Sequence, residues 1–165
     1  MPGSTIHSTY VVAVGSNRRG RHGGPRSEVA AALDRLGGLS SRIVASAPMG
    51  PSTRTFANAV ALVRTDREPD AMLAWLKEIE RGFGRRRGRR WGERVVDLDI
   101  VLWSGGRWKS RDLIVPHVGF RTRAFVLAPL AEVAPAWRDP VTGRRVRHLL
   151  AQQTRRRRMP RHVGP

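Results

Sequence analysis

Alternating apolar and polar stretches along the chain predict four main strands and four helices, with a hairpin into 107–109 and a short strand before His117. Short runs rich in β-branched residues predict strands at 10–14, 41–46, 56–63 and 95–103. Apolar residues at helical spacing predict helices over 27–36, 69–83, 123–133 and 146–153. The first part of this order, strand–helix–strand–strand–helix–strand, predicts an α+β fold. We expect a ferredoxin-like arrangement, with a mixed or antiparallel sheet and helices packed on it.

The length of the chain, 165 residues, is enough for one domain with a core. We predict a single domain over 1–153 and a basic, disordered tail over 154–165, where five arginines and two prolines occur. The chain has no cysteine, which excludes disulfides and thiolate metal sites. Neither a signal peptide nor a membrane span can be recognised, so we expect a cytoplasmic monomer without a membrane partner.

The charge is strongly basic. The chain has 31 basic and 13 acidic residues, a net charge of +18, and only Lys77 and Lys109 are lysine. An anionic partner, either nucleotide phosphates or nucleic acid, explains such a charge, and so does a codon bias toward arginine. Seven of the arginines fall within 81–94, and this clustering favours a local function for that segment.

Two carboxylates follow the arginine cluster. Asp97 and Asp99 lie in the strand predicted over 95–103, where side chains two residues apart point to the same face. Burial of two neighbouring carboxylates is unfavourable because they repel each other and lose their hydration, and a bound divalent cation such as Mg²⁺ would compensate for both effects. The alternative is a polar, solvent-facing side of a half-exposed strand. The apolar run at 100–102 indicates a central strand and favours the metal.

Other polar residues are candidates for binding. Asn58 interrupts an apolar strand, and a buried amide needs partners from another loop or from a heterocycle. Glu80 falls near the buried face of the second helix. The arginines at 85–90 and Arg94 suit a phosphate clamp, a solvated loop or nucleic-acid binding. His117 alone is more typical of a structural histidine. The common nucleotide-binding glycine motifs are missing from the sequence.

Together these segments resemble the 6-hydroxymethyl-7,8-dihydropterin pyrophosphokinase family of folate biosynthesis. Six motifs occur in the family's order, at 14–17, 47–50, 56–59, 79–85, 90–100, and 115–117 with 123–130. The resemblance covers roughly residues 11–140. It implies an α+β ferredoxin-like fold, ATP as co-substrate and two Mg²⁺ ions. The implied reaction transfers pyrophosphate from ATP to the hydroxymethyl group of the pterin and releases AMP.

The resemblance also implies roles for individual residues. The metal ligands would be Asp97 and Asp99. The ATP-binding set would be Glu80, Arg85, Trp91, Arg94, His117 and Arg123. The pterin-binding set would be Ser46, Ala47, Pro48, Phe56, Asn58, Asp97 and Phe125, with the two phenylalanines stacking on the ring. The residues expected to carry catalysis are Arg85, Arg94, Asp97 and Asp99.

The chain departs from the family pattern in a few places. Glu93 stands where the family has proline, Val118 where an aromatic residue or proline is common, and Ala47 where proline is common. The segment between Arg85 and Trp91 is short. Two other functions stay open at this point: a basic module that binds nucleic acid nonspecifically, and another nucleotidyltransferase with an Asp-x-Asp strand.

Overall fold

The computed structural model of the chain describes residues 7–47, 54–84 and 94–158. The strands are β1 (Ser8–Ser16), β2 (Leu39–Ser40), β3 (Val44–Ser46), β4 (Phe56–Thr65), β5 (Asp97–Trp103), β6 (Trp108–Lys109) and β7 (Ile114–Val115). The helices are α1 (Pro25–Leu36), α2 (Pro69–Phe83), α3 (Ala124–Val133) and α4 (Val146–Arg158), with a short 3₁₀ turn at Phe120–Thr122 before α3. None of these helices is long and apolar enough to cross a membrane.

The main sheet contains five strands, and all its pairs are antiparallel. Its order is β2–β4–β1–β5, and β3 also pairs with β4, next to β2. Thus β2 and β3 act as one interrupted strand, and the order of elements is that of a ferredoxin-like fold. The predicted α+β class is therefore confirmed, and the sheet is antiparallel rather than mixed.

Local sequence explains where the helices begin and end. Pro69 fits the first turn of α2, because its fixed φ suits a helix start and it needs no amide partner there. Helix α1 is followed by Gly37 and Gly38, both with positive φ, a conformation that side chains disfavour. A Cβ at Gly38 would also lie 2.1 Å from the carbonyl oxygen of Leu62, so this turn requires glycine.

Helices cover both faces of the sheet. Alternate β1 residues, Tyr10, Val12 and Val14, pack with α1 and α2 in one apolar cluster. On the other face, Val11 and Val60 pack with α3 and α4 in a second cluster. Each fully buried aliphatic side chain contributes roughly 1.5–3 kcal/mol through the hydrophobic effect. The two clusters hold the sheet rigidly between the helices, and the polar ends of its strands are built on this frame.

Two expectations from the sequence are wrong. The strand with the paired carboxylates, β5, is not central, because it forms an edge of the main sheet. Its residues at 100–102 are apolar because they pack into the apolar clusters on both faces of the sheet. The expected disordered tail is also too long, because α4 continues to Arg158. A run of arginines is compatible with a helix, since arginine has a good helix propensity. Residues 159–165 lie outside the described part of the chain.

Candidate active site

Three neighbouring strands bring an amide, a glycine and a carboxylate into one row. Gly15 of β1 is the pairing partner of Asn58 on β4 and of Asp97 on β5. Residues directly opposite in a sheet point to the same face, so Asn58 and Asp97 flank Gly15 on the α3 side. A Cβ at Gly15 would lie 3.3 Å from Oδ1 of Asn58. The backbones that carry the two polar residues are thus about two strand spacings apart, roughly 9.5 Å, and the glycine adds no side chain to the gap between them.

The amide side of the gap is held by the β3–β4 pair. Asn58 is only 6% exposed, and its Nδ2 donates to Oγ of Ser46 at 2.7 Å. Phe56 lies two residues before Asn58 in β4, and its side chain therefore points to the same face of the strand. It is half-buried. Ala47 follows Ser46 directly at the end of β3. Of the predicted pterin-binding residues, Pro48 lies outside the described residues.

The carboxylate side of the gap is exposed. Along β5, Asp97 and Asp99 are exposed, whereas Leu98 between them is buried. Nε of Arg94 lies 3.3 Å from Oδ1 of Asp97, whose side chain is 53% exposed. Burial raises the pKa of Asp97, Arg94 opposes that rise, and Glu80 and Asp99 add to it. Among the described residues, Arg94 is the arginine in contact with this carboxylate, and the pKa of Asp97 is raised despite that contact and the nearby charge of Lys77.

The donor set suits a hard divalent cation. Asp97 and Asp99 offer carboxylate oxygens on one face of β5, which Mg²⁺ prefers together with phosphate and water oxygens. In the described part of the chain, no group of three or more His, Cys, Asp or Glu residues forms a complete protein-only metal site. A cation held here would take its other ligands from a substrate and from water.

Glu80 supports the carboxylate strand from the other side of the sheet. Its side chain is 3% exposed, and Oε1 accepts the backbone N–H of Leu98 at 2.9 Å. An edge strand leaves alternate N–H groups without a strand partner, and Glu80 satisfies this one. Oε2 accepts Nη1 of Arg94 at 2.8 Å and Nζ of Lys77 at 3.2 Å. Glu80 thus fixes both the backbone between the two aspartates and the arginine beside them.

His117 lies against the same strand. Its backbone N–H donates to the carbonyl of Val101 at 3.0 Å, which ties the segment after β7 to β5. The N–H of Gly119 donates to Nδ1 of His117 at 3.1 Å, so Nδ1 is the acceptor and Nε2 carries the proton in the neutral ring. Burial lowers the pKa of His117, Asp99 raises it, and Arg123 lowers it. At neutral pH the ring is a neutral Nε2–H donor.

Helix α3 brings the remaining predicted residues to this face. Arg123 is the residue before the helix, and its guanidinium lies 6.0 Å from the ring centroid of Phe125. Phe125 is half-buried against the α3–α4 cluster, on the side of the sheet where Asn58 and Asp97 point. The N-terminal end of a helix favours negative charge, so this corner offers an anion both a cation and a helix dipole.

The structure thus brings together Ser46, Ala47, Phe56, Asn58, Arg94, Asp97, Asp99, His117, Arg123 and Phe125 around one face of the sheet, with Glu80 behind it. Arg85 and Trp91 lie outside the described residues. Sequence reasoning missed the spacing role of Gly15 and the contact of Lys77 with Glu80. The glycine motif at 14–17 carries a signal, but its meaning depends on a strand register that the sequence does not reveal.

Comparison with known proteins assigns the chain to a family. The family described as 7,8-dihydro-6-hydroxymethylpterin-pyrophosphokinase (HPPK) matches residues 11–135. The chain belongs to the HPPK family. That confirms the family predicted from the ordered motifs.

Two bacterial relatives illustrate the similarity to HPPK. A 2-amino-4-hydroxy-6-hydroxymethyldihydropteridine pyrophosphokinase of Pseudomonas aeruginosa is 42% identical over 154 residues, which covers 88% of this chain and 91% of the relative. The enzyme of the same name from Synechocystis is 36% identical over 107 residues, 65% of this chain, and the match spans 55% of that relative.

Solved structures of HPPK-containing chains share the fold. A crystal structure of a Plasmodium falciparum HPPK-DHPS variant superposes with a TM-score of 0.72 at 15% identity and covers 98% of this chain. The present chain spans 48% of that longer chain. At this identity the similarity establishes the fold, while family membership rests on the sequence.

Proposed function

We propose that this protein transfers pyrophosphate from ATP to the hydroxymethyl group of 6-hydroxymethyl-7,8-dihydropterin, with release of AMP. The observation that carries the proposal is the row Asn58–Gly15–Asp97. It sets an amide and a carboxylate on either side of an open strand position, and a flat heterocycle with donors and acceptors would bind between them. Family membership supports the same reaction.

The pterin would occupy the gap over Gly15. Asn58 offers an amide whose orientation Ser46 fixes, and such a group can pair with the pterin edge. Phe56 and Phe125 lie on the same side of the sheet and would stack on the two faces of the ring. The backbone at 46–48 would complete the hydrogen bonds. In this position the hydroxymethyl group would lie toward β5.

The triphosphate of ATP would lie along the β5 side. We propose that Asp97 and Asp99 hold two Mg²⁺ ions, whose role is to neutralise phosphate charge and lower the pKa of the pterin hydroxyl. Arg94 and Arg123, together with Arg85, would bind phosphate oxygens, and Trp91 would contact the nucleotide. Neutral His117 would donate Nε2–H to a phosphate oxygen. Glu80 would act on ATP indirectly, through Arg94.

The transfer needs no covalent enzyme intermediate. The pterin hydroxyl oxygen forms a bond to the β-phosphorus, the bond between that phosphorus and the oxygen bridging to the α-phosphate breaks, and AMP leaves with the bridging oxygen. The hydroxyl proton passes to solvent. The residues contribute by holding the two substrates in line and by stabilising charge on the transferred group. All the proposed groups come from one chain, so we propose that it acts as a monomer. We also propose a cytoplasmic location.

Product analysis tests the proposal. Purified protein is incubated with ATP, Mg²⁺ and the hydroxymethyl-dihydropterin, and nucleotides are separated by ion-exchange chromatography. We expect AMP and pterin diphosphate in equal amounts. Release of ADP, or a product that carries the nucleotide itself, would instead identify another transferase with the same carboxylate strand. Folded protein that releases no AMP would refute the proposal.

A further inference from the structure

The C-terminal end of helix α4 is exposed to solvent. Val146 and Leu149 are the buried residues of α4 and belong to the α3-side cluster. Farther along the helix, Nε2 of Gln153 donates to the carbonyl of Thr122 at 2.7 Å. The residues of the last turn, Arg155–Arg158, are all exposed. We call this turn the α4 tip.

The segment that leads to the α4 tip is strongly cationic. Between residues 133 and 158 the sequence has one acidic residue, Asp139, which is fully buried and bound by Arg121. The same segment has eight arginines: Arg138, Arg144, Arg145, Arg147, Arg155, Arg156, Arg157 and Arg158. The segment therefore lacks an exposed carboxylate that could neutralise these charges.

Helix stability alone does not account for the tip. Basic residues in a last turn interact favourably with the helix dipole, but like charges three or four residues apart repel each other. Consecutive residues of a helix are about 100° apart, so Arg155–Arg158 present guanidinium groups around its whole circumference. An anionic partner that contacts several sides of the helix would reduce the repulsion among these guanidinium groups.

We propose that the α4 tip binds the phosphodiester backbone of nucleic acid without sequence preference. Guanidinium groups contact phosphate oxygens in a bidentate manner, and a helix about 10–12 Å wide can enter the major groove of a duplex. The tip has no apolar side chain to insert into a bilayer or to anchor a protein interface, which disfavours both other partners. The proposal is independent of the transfer reaction.

Fluorescence anisotropy with a 20-base-pair fluorescein-labelled DNA duplex tests it on the full-length chain. The test variant carries Arg155→Gln, Arg156→Gln, Arg157→Gln and Arg158→Gln. The matched control carries Arg26→Gln, Arg35→Gln, Arg64→Gln and Arg111→Gln, four exposed arginines on other parts of the surface. Both variants lose the same charge, and circular dichroism and AMP release verify that each is folded.

The wild-type affinity should fall roughly 100-fold between 50 and 200 mM salt, as about four phosphate contacts require. In the α4-tip variant, the slope of log K against log salt should lose about three to four units, and the Kd at 50 mM salt should rise at least about 30-fold. The control should change by less than about threefold. Equal losses in the two variants, no wild-type binding at 50 mM salt, or tighter binding to phosphatidylserine vesicles or polyglutamate would overturn the proposal.

Discussion

In two arginine–aspartate pairs of this protein, the pKa of the aspartate is shifted in opposite directions. Asp139 is fully buried, and Arg121 donates to both of its oxygens, at 2.6 and 2.7 Å. Burial raises the pKa of Asp139, but the hydrogen bonds from Arg121, Thr142 and Val141 outweigh it and bring the pKa to about 2. Near β5, Nε of Arg94 lies 3.3 Å from Oδ1 of Asp97, and the pKa of Asp97 is raised.

Within the described residues, the two carboxylates differ in the number of their hydrogen-bond partners. Asp139 receives four hydrogen bonds within the fold and has no capacity left for a ligand. Asp97 shares its arginine with Glu80 and faces a second carboxylate, Asp99. A satisfied pair stabilises the fold, whereas an unsatisfied pair on an exposed face is suited to bind cations that accompany a substrate.

The largest effect is expected on the β5 side. Asp97→Ala or Asp99→Ala should lower kcat/KM for AMP release about a thousandfold or more. Each substitution removes a proposed ligand of the metal ions that would neutralise the phosphate charge. Thermal stability should hardly change, since both side chains are exposed. Asp34→Ala, also exposed, is the control and should keep full activity. Near-normal turnover in either β5 variant would count against metal ligation.

Asp139→Ala should show the reverse pattern. Removing one partner of a buried ion pair leaves Arg121 uncompensated and should cost about 3–5 kcal/mol in the free energy of unfolding. The activity per folded molecule should stay the same. Urea unfolding, paired with steady-state rates well below the transition, measures both. A variant as stable as the wild type would show that this pair is not structural.

The pH dependence of stability sharpens the same comparison. The folded-state pKa of Asp139, about 2, lies below the ordinary value of 3.8, so its contribution is present above about pH 4. The contribution should be lost as the pH falls through 2, and the difference corresponds to about 2 kcal/mol. Urea unfolding of the wild type between pH 5 and 2 should show this loss, and Asp139→Asn should lack it. Identical pH profiles would contradict the assignment.

Glu80→Gln is expected to have an intermediate effect. The amide oxygen can still accept the N–H of Leu98, but the charge that holds Arg94 and Lys77 is lost. We expect kcat to fall about 10- to 100-fold, since Arg94 would lose its fixed position. Glu78→Gln, an exposed position on the same helix, is the control. Full activity in Glu80→Gln would mean that Arg94 is positioned without it.

Gly15→Ala should have the smallest effect. Its new Cβ would lie 3.3 Å from Oδ1 of Asn58 and narrow the gap in which the pterin is proposed to bind. The KM for the pterin should rise about tenfold, as expected for a misplaced hydrogen-bonding group, while the KM for ATP changes little. Steady-state kinetics with each substrate varied in turn measure this. A rise confined to the KM for ATP would place the pterin elsewhere.

Much of the fold follows from the sequence because its signals are local. Pro69 and the pair Gly37–Gly38 mark helix ends where the structure has them, and the order of strands and helices is as predicted. The position of β5 at the sheet edge could not be read, because an edge strand covered on both faces is as apolar as a central one. The buried link from Glu80 to Leu98 depends on that edge.

For the candidate site, the sequence indicates which polar residues are unusual, but not which of them lie side by side in the sheet. Asn58, Asp97 and Asp99 are conspicuous as polar residues in apolar strands. Their common face across Gly15 is a consequence of antiparallel register, which pairs residues more than 40 positions apart and leaves no local trace. Their roles in binding pterin, phosphate and metal stay predictions.

A crystal structure with Mg²⁺, the hydroxymethyl-dihydropterin and α,β-methylene ATP tests the central claim most directly, because this analogue cannot be cleaved at the bond that should break. We expect the pterin over Gly15, paired with Asn58 and stacked between Phe56 and Phe125. We expect Asp97 and Asp99 to hold two ions that also contact the triphosphate. A pterin bound away from Gly15, or a triphosphate whose metal ions touch neither aspartate, would contradict the account.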